Sequence, residues 1–488
     1  MSHSGYKWQR ENYECPRGTN RCILLTWLKV TANHRARWHD HGMTQEYALS
    51  EQARLALEAD VVTLTQELIR IDSSNWGDSP ETVGEAEVAD YCAQRLREVG
   101  YDPEVYVTTS DTRRGVHLRI PGTDPSADAL VVHGHLDVVP AIAADWTHPP
   151  FGAEIHDGFI WGRGAVDMKN MDAMILAVMR HWARMGIRPR RDLIIAFFPD
   201  EEAGMQHGSA WVVNNRPGLF EGATEAIGEV GGFSISVRDD LRLYPIQTAE
   251  KGIRWLRLRA AARAGHGSMI HTDNAVTELA RAVTRIGEHQ WPIRRTRTVD
   301  AFLAELSDAY GVEIDGSDTD ELVSKLGTLG LLVGATLQNT ANPSMLDAGY
   351  KVNVIPSEAT AHIDGRVLPG FEAEFDQTIR ELVGERINVE SVSSDIAIES
   401  TFETATFDLM ASVLRREDSG ARAVPYMISG GTDAKALSRL EIDCYGFSPL
   451  RMPPGLDYWR LFHGVDERVP IDGLHFGVRA LDRFLRAV

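Results

Sequence analysis

Residues 131 to 140 read Val-Val-His-Gly-His-Leu-Asp-Val-Val-Pro, an apolar run closing on a His-x-Asp pair. An unbroken apolar run marks a strand buried on both faces. In open α/β sheets, ligands gather at the carboxyl ends of such strands. His135 is therefore a candidate metal ligand. Asp137 is placed to accept its other ring N–H and fix the tautomer. Taken alone, the pair reads more readily as a hydrogen-bonded structural histidine. His133 lies deeper in the run and reads as packed.

Four further stretches set a polar ligand type beside a strand, a tight turn or a glycine. Gly-Arg-Gly-Ala-Val-Asp-Met-Lys, 162 to 169, sets Asp167 just before a helical pattern, as a ligand or as a helix N-cap. Phe-Phe-Pro-Asp-Glu-Glu-Ala-Gly, 197 to 204, puts three carboxylates after the apolar run Leu193 to Phe198. Like charges so close raise one another's pKa unless a cation neutralises them. Glu202 reads as the ligand and Glu201 as the general base, because neighbouring side chains diverge; a solvated acidic loop is the alternative. Glu229 follows Ala226 to Gly228 and precedes Gly231-Gly232, and His463 lies in Phe-His-Gly-Val-Asp-Glu-Arg near the C-terminus. Two histidines and three carboxylates suit a pair of divalent ions of the zinc, cobalt or manganese type.

Around these motifs the chain alternates helical spacing with short apolar runs, which predicts an α/β fold with a central mixed sheet and helices on both faces. Met171, Met174, Ile175, Val178, Met179 and Trp182 predict a helix that Gly186 stops. From about Glu250, period-two alternation of Leu256, Leu258 and Ala260 with arginines predicts a strand of another kind and an inserted α+β domain. The predicted division is an extension over 1–42, a first catalytic segment over 43–248, the insert over 249–367 and a second catalytic segment over 368–488. The extension holds seven Lys and Arg against three Asp and Glu, unlike the acidic remainder of the chain, and reads as disordered or foreign to the fold. At 488 residues, two domains are expected.

A formal charge of −20 argues against nucleic acid or an anionic membrane as the main partner. Cys15, Cys22, Cys92 and Cys444 are too few and scattered for a disulfide framework. No run reaches the roughly 20 apolar residues of a membrane span, and a cytoplasmic location is expected.

The order and context of these motifs resemble the metallopeptidases that include aminoacylase, glutamate carboxypeptidase, acetylornithine deacetylase and succinyl-diaminopimelate desuccinylase. The long interval Trp291 to Leu346 looks nearer their carboxypeptidase S and N-acyl-amino-acid hydrolase branch. The resemblance implies a zinc-peptidase-like catalytic domain with an inserted lid and dimerisation domain, and hence a homodimer. It implies two zinc ions bridged by Asp167, with His135 and Glu229 completing one site and Glu202 and His463 the other. It implies Glu201 as base and His266, in Gly265-His266-Gly267-Ser268, stabilising the oxyanion from the partner subunit. Arg366, with the loop Gly430, Gly431 and Thr432, would hold a free carboxylate of a small molecule or short peptide, and Asn353 would assist it or the oxyanion. For Arg366 an internal salt bridge with Asp364 is the alternative. Met269 follows Gly-His-Gly-Ser where the family commonly has proline. Carboxypeptidase, dipeptidase or N-acyl-amino-acid deacylase is the expected activity. The rivals are a lid-less type of zinc aminopeptidase and a non-catalytic binding protein on the same scaffold.

Overall fold

Seven consecutive residues, Ala129–His135, are all buried and form the middle strand of the largest sheet. The computed structural model describes residues 49–488, apart from 315, 317–323, 325 and 327. The predicted 1–42 extension, with Cys15 and Cys22, lies outside the described residues, as does the expected start of the first catalytic segment at Met43. The first described helix is Glu51–Arg70, capped by the Ser50 side chain on Ala53 N.

Among the described residues the sheet has ten strands. Leu193–Phe198, Ala129–His135, Ala223–Gly228 and Asp443–Gly446 lie side by side and parallel. Arg114–Ile120 and Leu241–Glu250 flank them antiparallel. The parallel block has a functional consequence: His135 pairs with Phe198, and Val132 with Ile227. The chain therefore leaves three neighbouring strands at one edge, immediately before Asp137, before Glu201 and Glu202, and at Glu229.

The helix Lys169–Met185 packs on this sheet, buried along nearly its whole length, and Gly186 ends it at φ 64°. Met168, with no side-chain cap, precedes it, so the N-cap alternative for Asp167 is not what forms. On the same side, Ile471–Ala487 packs against Glu51–Arg70 and Lys169–Met185.

The second sheet is antiparallel, in the order Thr340–Ala348, Glu358–Val367, Gly252–Ala261, Ile387–Asp395. Alternating burial along Glu358–Val367 turns one face onto Ala275–Glu288 and Glu372–Val383. This inserted unit departs from the predicted boundaries in two ways. Its last strand ends at Asp395, so a limit at 367 falls inside it; Ser391, Ser393 and Ser394 around an exposed Val392 hide that strand in the sequence. Part of the interval also belongs elsewhere: Val299, Phe302, Leu303 and Leu306, on one stripe of the helix Arg297–Tyr310, pack on the large sheet with Leu243, Val424 and Tyr426.

Candidate metal centre

His135 reaches the sheet edge with its ring fully buried. Its Nε2 lies 3.1 Å from Asp167 Oδ1 and 3.5 Å from Glu229 Oε2. His463 Nε2 lies 3.2 Å from Asp167 Oδ2 and 2.9 Å from Glu202 Oε2. The five predicted ligands thus form two triads, His135/Asp167/Glu229 and Asp167/Glu202/His463, sharing Asp167.

Their electrostatics favour cations. Burial, with the Asp167 charge behind it, raises Glu202, and burial pushes Glu229 up to about 8. Hydrogen bonds to Asp167 and Glu202 hold His463 up to about 10. Glu202 Oε1 and Glu229 Oε1 are buried without a hydrogen-bond partner, an arrangement that costs free energy unless another group meets them. Imidazole nitrogens and carboxylate oxygens around two centres are the donor set of borderline divalent metals. The residues fit a dinuclear site.

Glu467 builds the loop that carries Asp167. Its Oε1 accepts from Val166 N at 2.7 Å and Asp167 N at 3.1 Å, and its Oε2 from Gly164 N at 2.9 Å and Arg163 Nη1 at 2.7 Å. Glu467 is absent from the residues predicted to build the site, although it stands four positions after His463.

Asp137 acts differently from the expectation. The ring Nδ1 of His135 is 3.0 Å from the Asp137 backbone oxygen, whereas the carboxylate Oδ1 stands back at 3.6 Å. That carboxylate accepts instead from Glu201 N at 3.1 Å and Glu202 N at 3.0 Å. The tautomer is fixed by a carbonyl, and the carboxylate holds the acidic turn. Glu201 itself is raised well above an ordinary glutamate by burial and by Glu229. His133 is buried, and burial followed by the charge of His135 pushes it down to about 3, in keeping with a packed role.

The remaining expected site residues lie on other elements. His266 is exposed on the short strand Gly265–His266, paired with Val354–Ile355. Ser268 N donates to its Nδ1 at 3.2 Å, which leaves the neutral ring's proton on Nε2, a donor position. The Asn353 carbonyl accepts from Gly267 N at 3.0 Å. Arg366 is paired with Asp364, its Nε 2.8 Å from Oδ1. Thr432 gives both its N–H and its hydroxyl to buried Glu250, at 3.0 and 2.5 Å, so it anchors the Gly430-Gly431 loop and its own donors are taken. Among the described residues, no hydrogen bond or ion pair joins His266, Asn353 or Arg366 to the five ligand residues.

Comparison with known proteins agrees with this chemistry. The family described as peptidase family M20/M25/M40 matches residues 131–487. Probable carboxypeptidase S-like 2 of Dictyostelium discoideum is 30% identical over 373 residues, covering 72% of this chain and 70% of that protein. The N-fatty-acyl-amino acid synthase/hydrolase of Homo sapiens is 27% identical over 375 residues, covering 74% of each. Among solved structures, the M20 family metallo-carboxypeptidase Sso-CP2 from Sulfolobus solfataricus superposes with a TM-score of 0.66 at 17% identity, over 88% of this chain and 98% of that one. That likeness speaks for the fold, and the sequence matches speak for the branch. Among the described residues, no helix is long and apolar enough to cross a membrane. The chain belongs to peptidase family M20/M25/M40, and is a metal-dependent hydrolase of its carboxypeptidase S, N-acyl-amino-acid hydrolase and aminoacylase branch.

Proposed function

We propose that this hydrolase cleaves an amide bond beside a free carboxylate, in N-acyl amino acids or short peptides, with two zinc ions. The observation that carries the reading is the pair of triads sharing Asp167, with Glu201 next to the ligand Glu202. His135, Asp167 and Glu229 would hold one ion, and Asp167, Glu202 and His463 the other. Such ions polarise a scissile carbonyl and lower the pKa of water to about 7.

The chain's own groups would do the rest. Glu201 takes a proton from the attacking water and returns it to the leaving amine, a task for which its raised pKa suits it. His266 presents Nε2–H to the developing oxyanion. Arg366 turns from Asp364 to the substrate carboxylate, aided by Asn353 and the backbone of Gly430 and Gly431. The relatives named as carboxypeptidase and N-acyl-amino-acid hydrolase point to the same kind of substrate.

Delivery of His266 across a subunit boundary asks for a homodimer. The edge strand Thr340–Ala348, with exposed Met345 and Leu346, supports one, and exposed Tyr350 and Val352 come just after it. Sedimentation at the monomer mass would remove that part of the reading.

Glu201→Ala tests the whole. Turnover on a panel of N-acyl amino acids, dipeptides and free-amine peptides should fall by several orders of magnitude while two metals per chain stay bound. Retained turnover would remove Glu201 as the base, and activity confined to free-amine substrates would favour the aminopeptidase rival.

A further inference from the structure

Behind the Glu201–Glu202 turn runs a buried polar chain that the proposed reaction does not use. Besides the two backbone N–H groups of that turn, Asp137 Oδ2 accepts from Asn75 Nδ2 at 2.8 Å. The same nitrogen reaches Asp200 Oδ1 at 3.1 Å, and Asn75 Oδ1 accepts from Arg113 Nη2 at 3.0 Å. Arg113 Nη2 also lies 3.1 Å from Asp200 Oδ1, and its Nη1 holds Glu85 Oε1 at 2.6 Å. Asp200 Oδ2 in turn accepts from His207 N at 2.8 Å. The segment itself is strapped to the Asp137 loop, by Asn75 N on the Val138 carbonyl at 2.9 Å and Ser73 Oγ on the Leu136 carbonyl at 2.7 Å.

Asn75, Glu85, Arg113, Asp137 and Asp200 are all at most 6% exposed. As a stabilising device this is a poor choice: three carboxylates and one guanidinium have been taken out of water, where apolar side chains of similar volume are commonly as stable. What such a network does well is set direction. With one carboxylate clamped to two successive N–H groups and itself clamped by Asn75, the peptide between Glu201 and Glu202 has a single orientation. That orientation decides where both side chains point.

We propose that Asn75 and Arg113 are positioning residues of the metal centre. Arg113 orients the Asn75 amide, Asn75 orients Asp137, and Asp137 aims Glu202 at its ion and Glu201 at the reacting water. The proposal rests on the dinuclear reading of the two triads, so the experiment separates the two. Metal affinity is measured by chelator competition with zinc on the full chain, alongside kcat and KM on an N-acyl amino acid.

Glu202→Gln tests the dinuclear reading itself, and should weaken the second ion. Asn75→Ala should raise the dissociation constant of that ion about 10- to 100-fold, the usual effect of removing a group that orients a ligand. It should lower kcat comparably while KM stays within about twofold. Arg113→Lys keeps a charge against Glu85 but lacks a second arm for Asn75, and should fall between; it also serves should Asn75→Ala fail to fold. Arg191→Met breaks a part-buried pair, 2.6 Å to Glu225 at the far end of the sheet, and should leave affinity and kcat unchanged. Wild-type affinity and kcat in the folded Asn75 or Arg113 variants would overturn the proposal, as would an equal loss in Arg191→Met. An unaffected Glu202→Gln would instead overturn the reading of the ligands.

Discussion

Loading the metal-stripped chain with two zinc ions at pH 7 should release about three protons per chain, because metal ligands must be neutral imidazole or ionised carboxylate. Each proton has a named source. His463 is held up to about 10 by hydrogen bonds to Asp167 and Glu202. His135 is pulled down by burial, but attraction to Glu229 and its interactions with the nearby Asp137 and Asp167 carboxylates more than reverse this and leave it well above an ordinary histidine. Glu229 is pushed up to about 8 by burial. With protein groups alone around them, all three carry protons at pH 7, and each must lose one to bind an ion. Glu201, raised by burial and by Glu229, can add a fourth once positive charge arrives beside it. Above about 8 Glu229 is already ionised, so the yield falls towards two, and apparent zinc affinity climbs less steeply with pH. The assay is a pH-stat titration of chelator-treated protein with zinc chloride, repeated with Glu229→Gln, which should release one proton fewer. Release of less than one proton per chain at pH 7 would refute this assignment, because histidines flanked by these carboxylates could not then be the ligands.

Two further perturbations probe the frame around the centre. Glu467→Gln leaves one acceptor oxygen for four donors, including Arg163, and breaking a buried pair of this kind costs about 3–5 kcal/mol. Denaturant unfolding at pH 8, where a group pushed up to about 7 by burial is ionised, should show that loss; a change under about 1 kcal/mol would count against the cradle. Lys251, whose Nζ holds the carbonyls of Ala335 and Gln338, is pushed down to about 7 by burial and by Arg366. Between that value and its ordinary 10.5 only the unfolded chain holds the proton, so stability rises with pH by up to about 1.4 kcal/mol per unit from this group. The gain is complete above the ordinary value and gone below about 7. Melting curves across this window should lose the slope in Lys251→Met, and an unchanged slope would place the titration elsewhere.

How much the sequence disclosed depends on how many residue types each job allows. Buried parallel strands tolerate little but apolar residues, so Leu193–Phe198 and the strand ending at His135 were legible, as was the helix that Gly186 stops. The strand Ile387–Asp395 was not, because only Ile387 of its residues is buried and its solvent side reads as loop. Few side-chain types can serve in a metal triad, and each of the five candidates stands at a strand end or tight turn, so the residues that the structure gathers into two triads are legible in the sequence. Asn75, Arg113 and Glu467 orient other groups by hydrogen bonds, work that many polar residues could do, and no local pattern sets them apart. For Asp137, spacing puts the carboxylate near the ring but cannot show the two N–H groups that it accepts from.

The two triads are unequal in how the chain makes them. His135, Asp167 and Glu229 all come from the first half of the chain and are buried. The other triad waits on His463, whose side chain is 57% exposed and whose backbone sits at φ 57°, a left-handed conformation uncommon outside glycine. Its place is secured by its neighbours: Arg468–Pro470 pairs with Phe159–Trp161, and Glu467 gathers the N–H groups of the Asp167 loop. A three-stranded sheet thus joins segments some 300 residues apart at the one carboxylate both triads share. The contacts that join these two segments are therefore the ones that bring His463 to Asp167, and Glu467, a member of neither triad, links the two loops.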